Sequence, residues 1–285
     1  MIYILLLILC SLATLKLSLQ SSFGKKSVKN TADALYFNGL IFLFSSFVFM
    51  YTLPGCPWQV WVYGAVAAVF SVAFQILYTK ALSAGNVSLT ALIVNMSMVI
   101  NVIVSYVVFG DSISSLRLVG IILTIITFFL CTDFKNTSAS EKSWIYIAFA
   151  SMITNAVASL SHKFFTASDY SSYNLAFTSG SYFIAAVVAF MVYGIYKITG
   201  SGKTFKAGKS VLFYSMATGV VLAVFIAINT YTLTRVEGTF IFPAYSGGTI
   251  IFSTLTGIIF FKDKLSAKQI LSLIVGAVAI VLMNF

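Results

Sequence analysis

Charge is scarce in this sequence, with only 8% of its 285 residues being aspartate, glutamate, lysine or arginine. An average soluble domain carries roughly a quarter. The apolar runs are about 20 residues long, enough for helices that cross a hydrocarbon core of about 30 Å. A soluble globule is therefore excluded, and the question of domain number becomes one of helix number. Histidine occurs once, at His162, and Cys10, Cys56 and Cys131 are far apart with no C-x-x-C spacing. No metal centre, disulfide framework or cofactor is expected from such a set. Acidic residues are also few: Asp33, Asp111, Asp133, Glu141, Asp169, Glu237 and Asp263 all fall at the ends of apolar runs or between them. A carboxylate proton relay at the membrane midplane is thus not expected, and any coupled ion would need backbone carbonyls or hydroxyls. With no acidic pair in one span and no cysteine beside a base, an enzyme is not expected either.

What is abundant is oil: 60% of the residues are hydrophobic and 16% aromatic, the latter compatible with interfacial belts. The formal net charge is +10, but the 17 basic residues stand singly or in small groups between apolar runs. They read as membrane topology, and no nucleic-acid partner is expected. The first apolar run lacks a basic leader and an A-x-A cleavage site, so it reads as a retained span. Polar and turn-rich breaks such as Gly24-Lys25-Lys26, Pro54-Gly55-Cys56-Pro57 and Gly110-Asp111 divide the chain into ten predicted spans. These are 2–20, 33–53, 58–79, 87–109, 116–132, 143–163, 170–196, 210–233, 238–261 and 267–284. Gly202-Lys203-Thr204 resembles the end of a phosphate-binding loop, but Lys197 stands where the first glycine is required, and the segment joins two spans.

The chain repeats itself. Phe109-Gly-Asp111-Ser-Ile113-Ser114 is echoed 152 residues later by Phe261-Lys-Asp263-Lys-Leu265-Ser266, and Tyr78-Thr79 with Gly85 is echoed by Tyr231-Thr232 with Gly238. Asp33 and Asn38 pair more weakly with Asp169 and Asn174. Two sets of five helices follow, residues 1–135 and 136–285, and an odd number per set predicts halves of opposite orientation. Loop charge agrees: 13 basic residues follow odd-numbered helices and 3 follow even-numbered ones. Odd loops are therefore expected in the cytoplasm and both termini outside.

Ten spans in two inverted fives, with this link before the fifth and tenth helices, resemble the drug/metabolite transporter superfamily in its EamA-like branch. The family's link usually reads G-E-R-L-S; here Asp111 and Asp263 replace the glutamate, and Ser112 or Lys264 the residue after it. Lys16 sits where members often carry a basic residue late in the first helix, while Asn38 and Asn174 stand where many carry arginine in the second helix. The resemblance implies an all-α membrane protein with a central cavity, working as a secondary-active transporter of small metabolites or drugs by alternating access, often as an exporter. The implied partners are a small-molecule substrate, the lipid bilayer of the plasma membrane and a coupled ion; the oligomeric state is left open. A non-transporting sensor or scaffold of the same fold is the alternative.

Polar side chains inside spans normally face other helices or water. In the fourth span Thr90, Ser97, Asn101 and Ser105 share one face, and in the ninth Tyr245, Ser246, Thr249, Ser253 and Thr256 do. The repeat pairs Ser97 with Thr249 and Asn101 with Ser253. These stripes are the expected walls of a substrate cavity, with hydroxyl packing between helices as the bland reading. Ser11, Thr14 and Ser18 in the first span, and Ser151, Asn155, Ser159 and His162 in the sixth, form secondary walls; Ser11 and Asn155 are the binding candidates among them. His162, beside Lys163 at an expected helix end, reads as a surface residue. Lys16 is balanced between snorkelling to the interface and facing the cavity. Pro243 is balanced between an irregular stretch at the cavity and a harmless first-turn proline.

Overall fold

The computed structural model describes residues 2–131, 139–199, 208–263 and 265–283. The boundary between 135 and 136 and the Gly202-Lys203-Thr204 segment lie outside them. The described residues are helical, without strands: α1 (Ile2–Ser27), α2 (Thr31–Val48), α3 (Trp58–Ala84), α4 (Val87–Asn95), α5 (Ser97–Phe109), α6 (Ser115–Cys131), α7 (Ala139–Thr166), α8 (Asn174–Ile198), α9 (Lys209–Leu233), α10 (Gly238–Phe261) and α11 (Ala267–Met283). Helices α4 and α5 make one span interrupted at Met96. Eight of the resulting spans are long and apolar enough to cross a membrane. The other two, α6 and α11, have 17 residues each, at the short end of crossing length.

Several helices overrun the breaks expected from charge. The first continues through Gly24, Lys25 and Lys26 to Ser27, and the seventh through Lys163 to Thr166. Lysines in a last turn favour the negative end of the helix dipole, so they mark the final turn rather than the loop. Burial holds these turns as well: Phe23 is 2% exposed and stacks on Phe37 at 4.3 Å, and Phe165 stacks on Phe177 at 3.9 Å. Helix α2 opens with a capping box, in which Asp33 N donates to Asn30 Oδ1 at 2.8 Å and Asn30 N donates to Asp33 Oδ2 at 3.2 Å.

The repeated link has the same local fold in both copies. Gly110 and Lys262 end α5 and α10 in left-handed conformations, with φ of 69° and 54°. The next amide then reaches back six residues, Asp111 N to Ser105 O at 3.2 Å and Asp263 N to Gly257 O at 3.0 Å. This is the Schellman arrangement, and it costs Lys262 about 1–2 kcal/mol that Gly110 avoids.

Helices of the first half pack mainly on those of the second: α2 on α8, α6 on α11, α3 on α7 and α8, α1 and α2 on α9, and α10 on α4 and α5. Small residues allow close approach. Ser45 Oγ donates to Gly219 O at 2.8 Å and Ser179 Oγ to Ser46 O at 2.7 Å, tying α2 to α9 and α8. Outward-facing residues such as Ile103, Val107, Ile122, Met191, Ile258 and Phe260 are exposed, as a lipid-facing surface requires.

Candidate functional site

A chamber of about 100 Å³ lies between the halves, lined from α1, α3, α4, α7, α8, α9 and α10. The sequence stripes enter it only in part. Asn155, Tyr245 and Thr249 line it; Thr90, Ser97, Asn101, Ser105, Ser246, Ser253 and Ser11 do not. Because α10 packs directly on α4 and α5, much of each stripe is used between helices. Ser97 Oγ accepts from Asn155 Nδ2 at 2.8 Å and Thr90 Oγ1 accepts from Trp144 Nε1 at 3.0 Å, both across helices, whereas Ser253 Oγ donates within α10 to Ile250 O at 3.1 Å. Asn101, Ser105 and Ser246 are buried, whereas Ser11 is exposed and donates to Leu7 O at 2.8 Å.

The chamber holds side chains that the stripes did not indicate: Gln75, Asn95, Asn229, Tyr78 and Tyr182. Gln75, Asn95 and Asn229 are lone amides in otherwise apolar runs, which was a readable signal for a polar cavity. Gln75 is held from behind. Gln20 Nε2 donates to Gln75 Oε1 at 3.0 Å and to Thr79 Oγ1 at 2.6 Å, and Asn38 Nδ2 donates to Thr79 Oγ1 at 2.9 Å. With its oxygen fixed on Gln20, the Gln75 amide nitrogen is left for the chamber. Asn38 thus belongs to this supporting network.

Lys16 and His162 also line the chamber. Lys16 is 8% exposed, with Nζ 5.5 Å from the Phe74 ring centroid and 5.6 Å from that of Tyr78. Snorkelling is removed because α1 runs eleven residues beyond it to Ser27, roughly 16 Å of helix. His162 is buried rather than on the surface. Helix α7 continues past it, its ring meets Phe177 edge-on at 5.1 Å, and its Nδ1 has no hydrogen-bond partner among the described residues. Neither of the two readings balanced at Pro243 holds, since α10 starts at Gly238, more than a turn before it, and runs unbroken through it. The break lies instead in the equivalent fourth span at Met96, whose N–H lies 3.2 Å from both Leu92 O and Ile93 O.

A clasp joins the halves at each end of α10. At one end Lys25 Nζ lies 3.7 Å from Asp263 Oδ1 and 5.0 Å from the Phe261 ring centroid, while Asp263 Oδ2 accepts from Ser88 N at 2.9 Å and Ser88 Oγ at 3.0 Å. At the other, Lys163 Nζ lies 3.4 Å from Asp111 Oδ2 and 5.3 Å from the Phe109 ring centroid, while Asp111 Oδ2 accepts from Gly238 N at 2.8 Å. Each aspartate of the repeated link thus caps the opening turn of a helix in the opposite half and pairs with a lysine from that same opposite half. The Lys163 clasp sits at the start of α10 and the Lys25 clasp at its end, separated by 24 residues or about 36 Å.

A bundle of membrane-length helices with lipid-facing walls and a buried polar chamber is a multi-pass membrane protein. Residues 1–132 match the model of the EamA-like transporter family, as the links and Lys16 suggested, and that family comprises membrane transporters. A crystal structure of a protein 14% identical in sequence superposes with a TM-score of 0.66, over 96% of this chain and 94% of that one. At that identity the likeness is one of fold, and it extends across both halves. Among curated proteins, none matches the sequence.

Proposed function

We propose that the protein is a secondary-active carrier that exports small metabolites or drugs by alternating access. The observation that carries this reading is a chamber within a bundle whose halves are joined at both ends by clasps built from the same link. Residues 1–135 and 136–285 act as inverted repeats in the plasma membrane; opening one clasp while the other holds exposes the chamber to one side at a time. The loop charges support an orientation with the Lys25 clasp in the cytoplasm. Export is taken from the usual direction in the family. Asn155, Tyr245 and Thr249 contact the solute together with Lys16, Gln75 and Asn95. Of the remaining stripe residues, Thr90 and Ser97 tie helices together, Asn101, Ser105, Ser246 and Ser253 are buried between helices, and Ser11 faces outward.

Such a carrier moves solute uphill only when a coupled ion or second solute is moved with it, since equal binding in both states gives only downhill flux. The test is uptake of radiolabelled metabolite pools into proteoliposomes. Saturable flux is expected for at least one pool, and Asn155→Leu is expected to reduce it at unchanged protein content. No saturable flux for any pool would favour a sensor or scaffold.

A further inference from the structure

We propose that the solute of this chamber is a small organic anion whose carboxylate is held by Lys16. The inference rests on the carrier reading and specifies its cargo. Lys16 is 8% exposed in the chamber wall, and among the described residues it makes no ion pair. Among the described residues, no aspartate or glutamate lines the chamber. An ammonium group removed from water is costly unless an opposite charge or good donors and acceptors replace its hydration. The faces of Phe74 and Tyr78, both just over 5 Å from Nζ, supply part of that replacement and no charge. Among the described residues no counter-charge faces Lys16, and a carboxylate delivered by the solute completes the site.

The rest of the wall suits that reading. Gln75 lines the chamber with its oxygen engaged by Gln20, which leaves its amide nitrogen to serve as a neutral donor. His162 brings an imidazole with an unpartnered ring nitrogen. A cationic solute would meet Lys16 with no carboxylate to offset the repulsion. The volume, about 100 Å³, is below that of engineered cavities that admit benzene at about 150 Å³, which sets the scale of the cargo at a few heavy atoms.

The test uses the full chain, purified in detergent and reconstituted. Thermal stabilisation and counterflow are measured with acetate, propanoate and 2-hydroxypropanoate, against methylammonium and ethylammonium at matched ionic strength. At least one carboxylate is expected to stabilise the protein and to exchange saturably. Lys16→Met should weaken its apparent affinity about ten- to a hundredfold, the loss of a hydrogen bond to a charged group. Lys16→Arg should retain most of it, and Gln75→Leu, which leaves the charge in place, should weaken it less than Lys16→Met. If Lys16→Met does not fold, the Gln75→Leu result and the carboxylate-over-ammonium preference of the unaltered protein decide the matter. Saturable exchange of an ammonium solute without carboxylate binding would overturn the anion assignment and leave the carrier standing. Carboxylate binding unaltered by Lys16→Met would overturn the role of Lys16. Failure of every solute to bind or exchange, in the same vesicles that show no flux with metabolite pools, would overturn the carrier reading itself.

Discussion

The two clasps share a recipe and differ in wetness. At the Lys163 clasp both partners are shielded, with 9% and 10% of their side chains exposed, whereas Lys25 keeps 32% of its side chain in solvent opposite an Asp263 at 3%. Separating a shielded pair strands charge in a low dielectric; separating a half-solvated pair returns one partner to water. The same sequence motif therefore closes one end firmly and the other lightly. In the proposed orientation the light closure faces the cytoplasm, which suits a carrier that loads there.

The largest expected effect tests that asymmetry directly. Asp111→Asn leaves Lys163 buried without its anion and is expected to cost about 3–5 kcal/mol of unfolding free energy, against about 1 kcal/mol or less for Asp263→Asn, which leaves the more solvated Lys25 to return to water. Denaturation in mixed micelles measures both, and equal losses would break the contrast. A smaller quantity sharpens it. In double-mutant cycles, Lys163→Met with Asp111→Asn should show a coupling of about 1–3 kcal/mol, and Lys25→Met with Asp263→Asn less than about 1 kcal/mol. Smallest is the response to salt. In a cysteine-free background, single cysteines replacing Asn86 and Val236 report on the two ends. Raising ionic strength from about 0.05 to about 0.5 M should speed thiol labelling at position 86 about two- to threefold and leave position 236 unchanged, because screening acts on exposed charge. Faster labelling at 236 alone would reverse the assignment of wet and dry ends.

The spans were legible because twenty-residue apolar runs have few other fates. Their ends were less so, since Lys25, Lys26 and Lys163 look like loop residues until the helix dipole and the buried Phe23 and Phe165 are taken into account. The link was legible as a repeat. Its job was not, because no pattern within one half reveals that Asp111 caps a helix 127 residues away. The chamber was half visible: helical periodicity found Asn155, Tyr245 and Thr249, but it weighted rows of hydroxyls over the isolated amides Gln75, Asn95 and Asn229. Hydroxyls can satisfy themselves on their own helix, as Thr249 does by donating to Tyr245 O at 2.9 Å, so a row of them need not face water. The lone histidine was misplaced because the extent of α7 beyond Lys163 is decided by tertiary packing.

Helix α10 carries a clasp at either end and has no interruption between them, while the span it crosses is divided at Met96 into α4 and α5. Mechanically this is a stiff beam laid against a jointed one. A tilt that lifts one end of the beam presses the other end down, and the joint lets each segment of the opposing span follow its own latch. In the proposed cycle, simultaneous release at both ends would require bending α10 itself, which would guard the bundle against leaking.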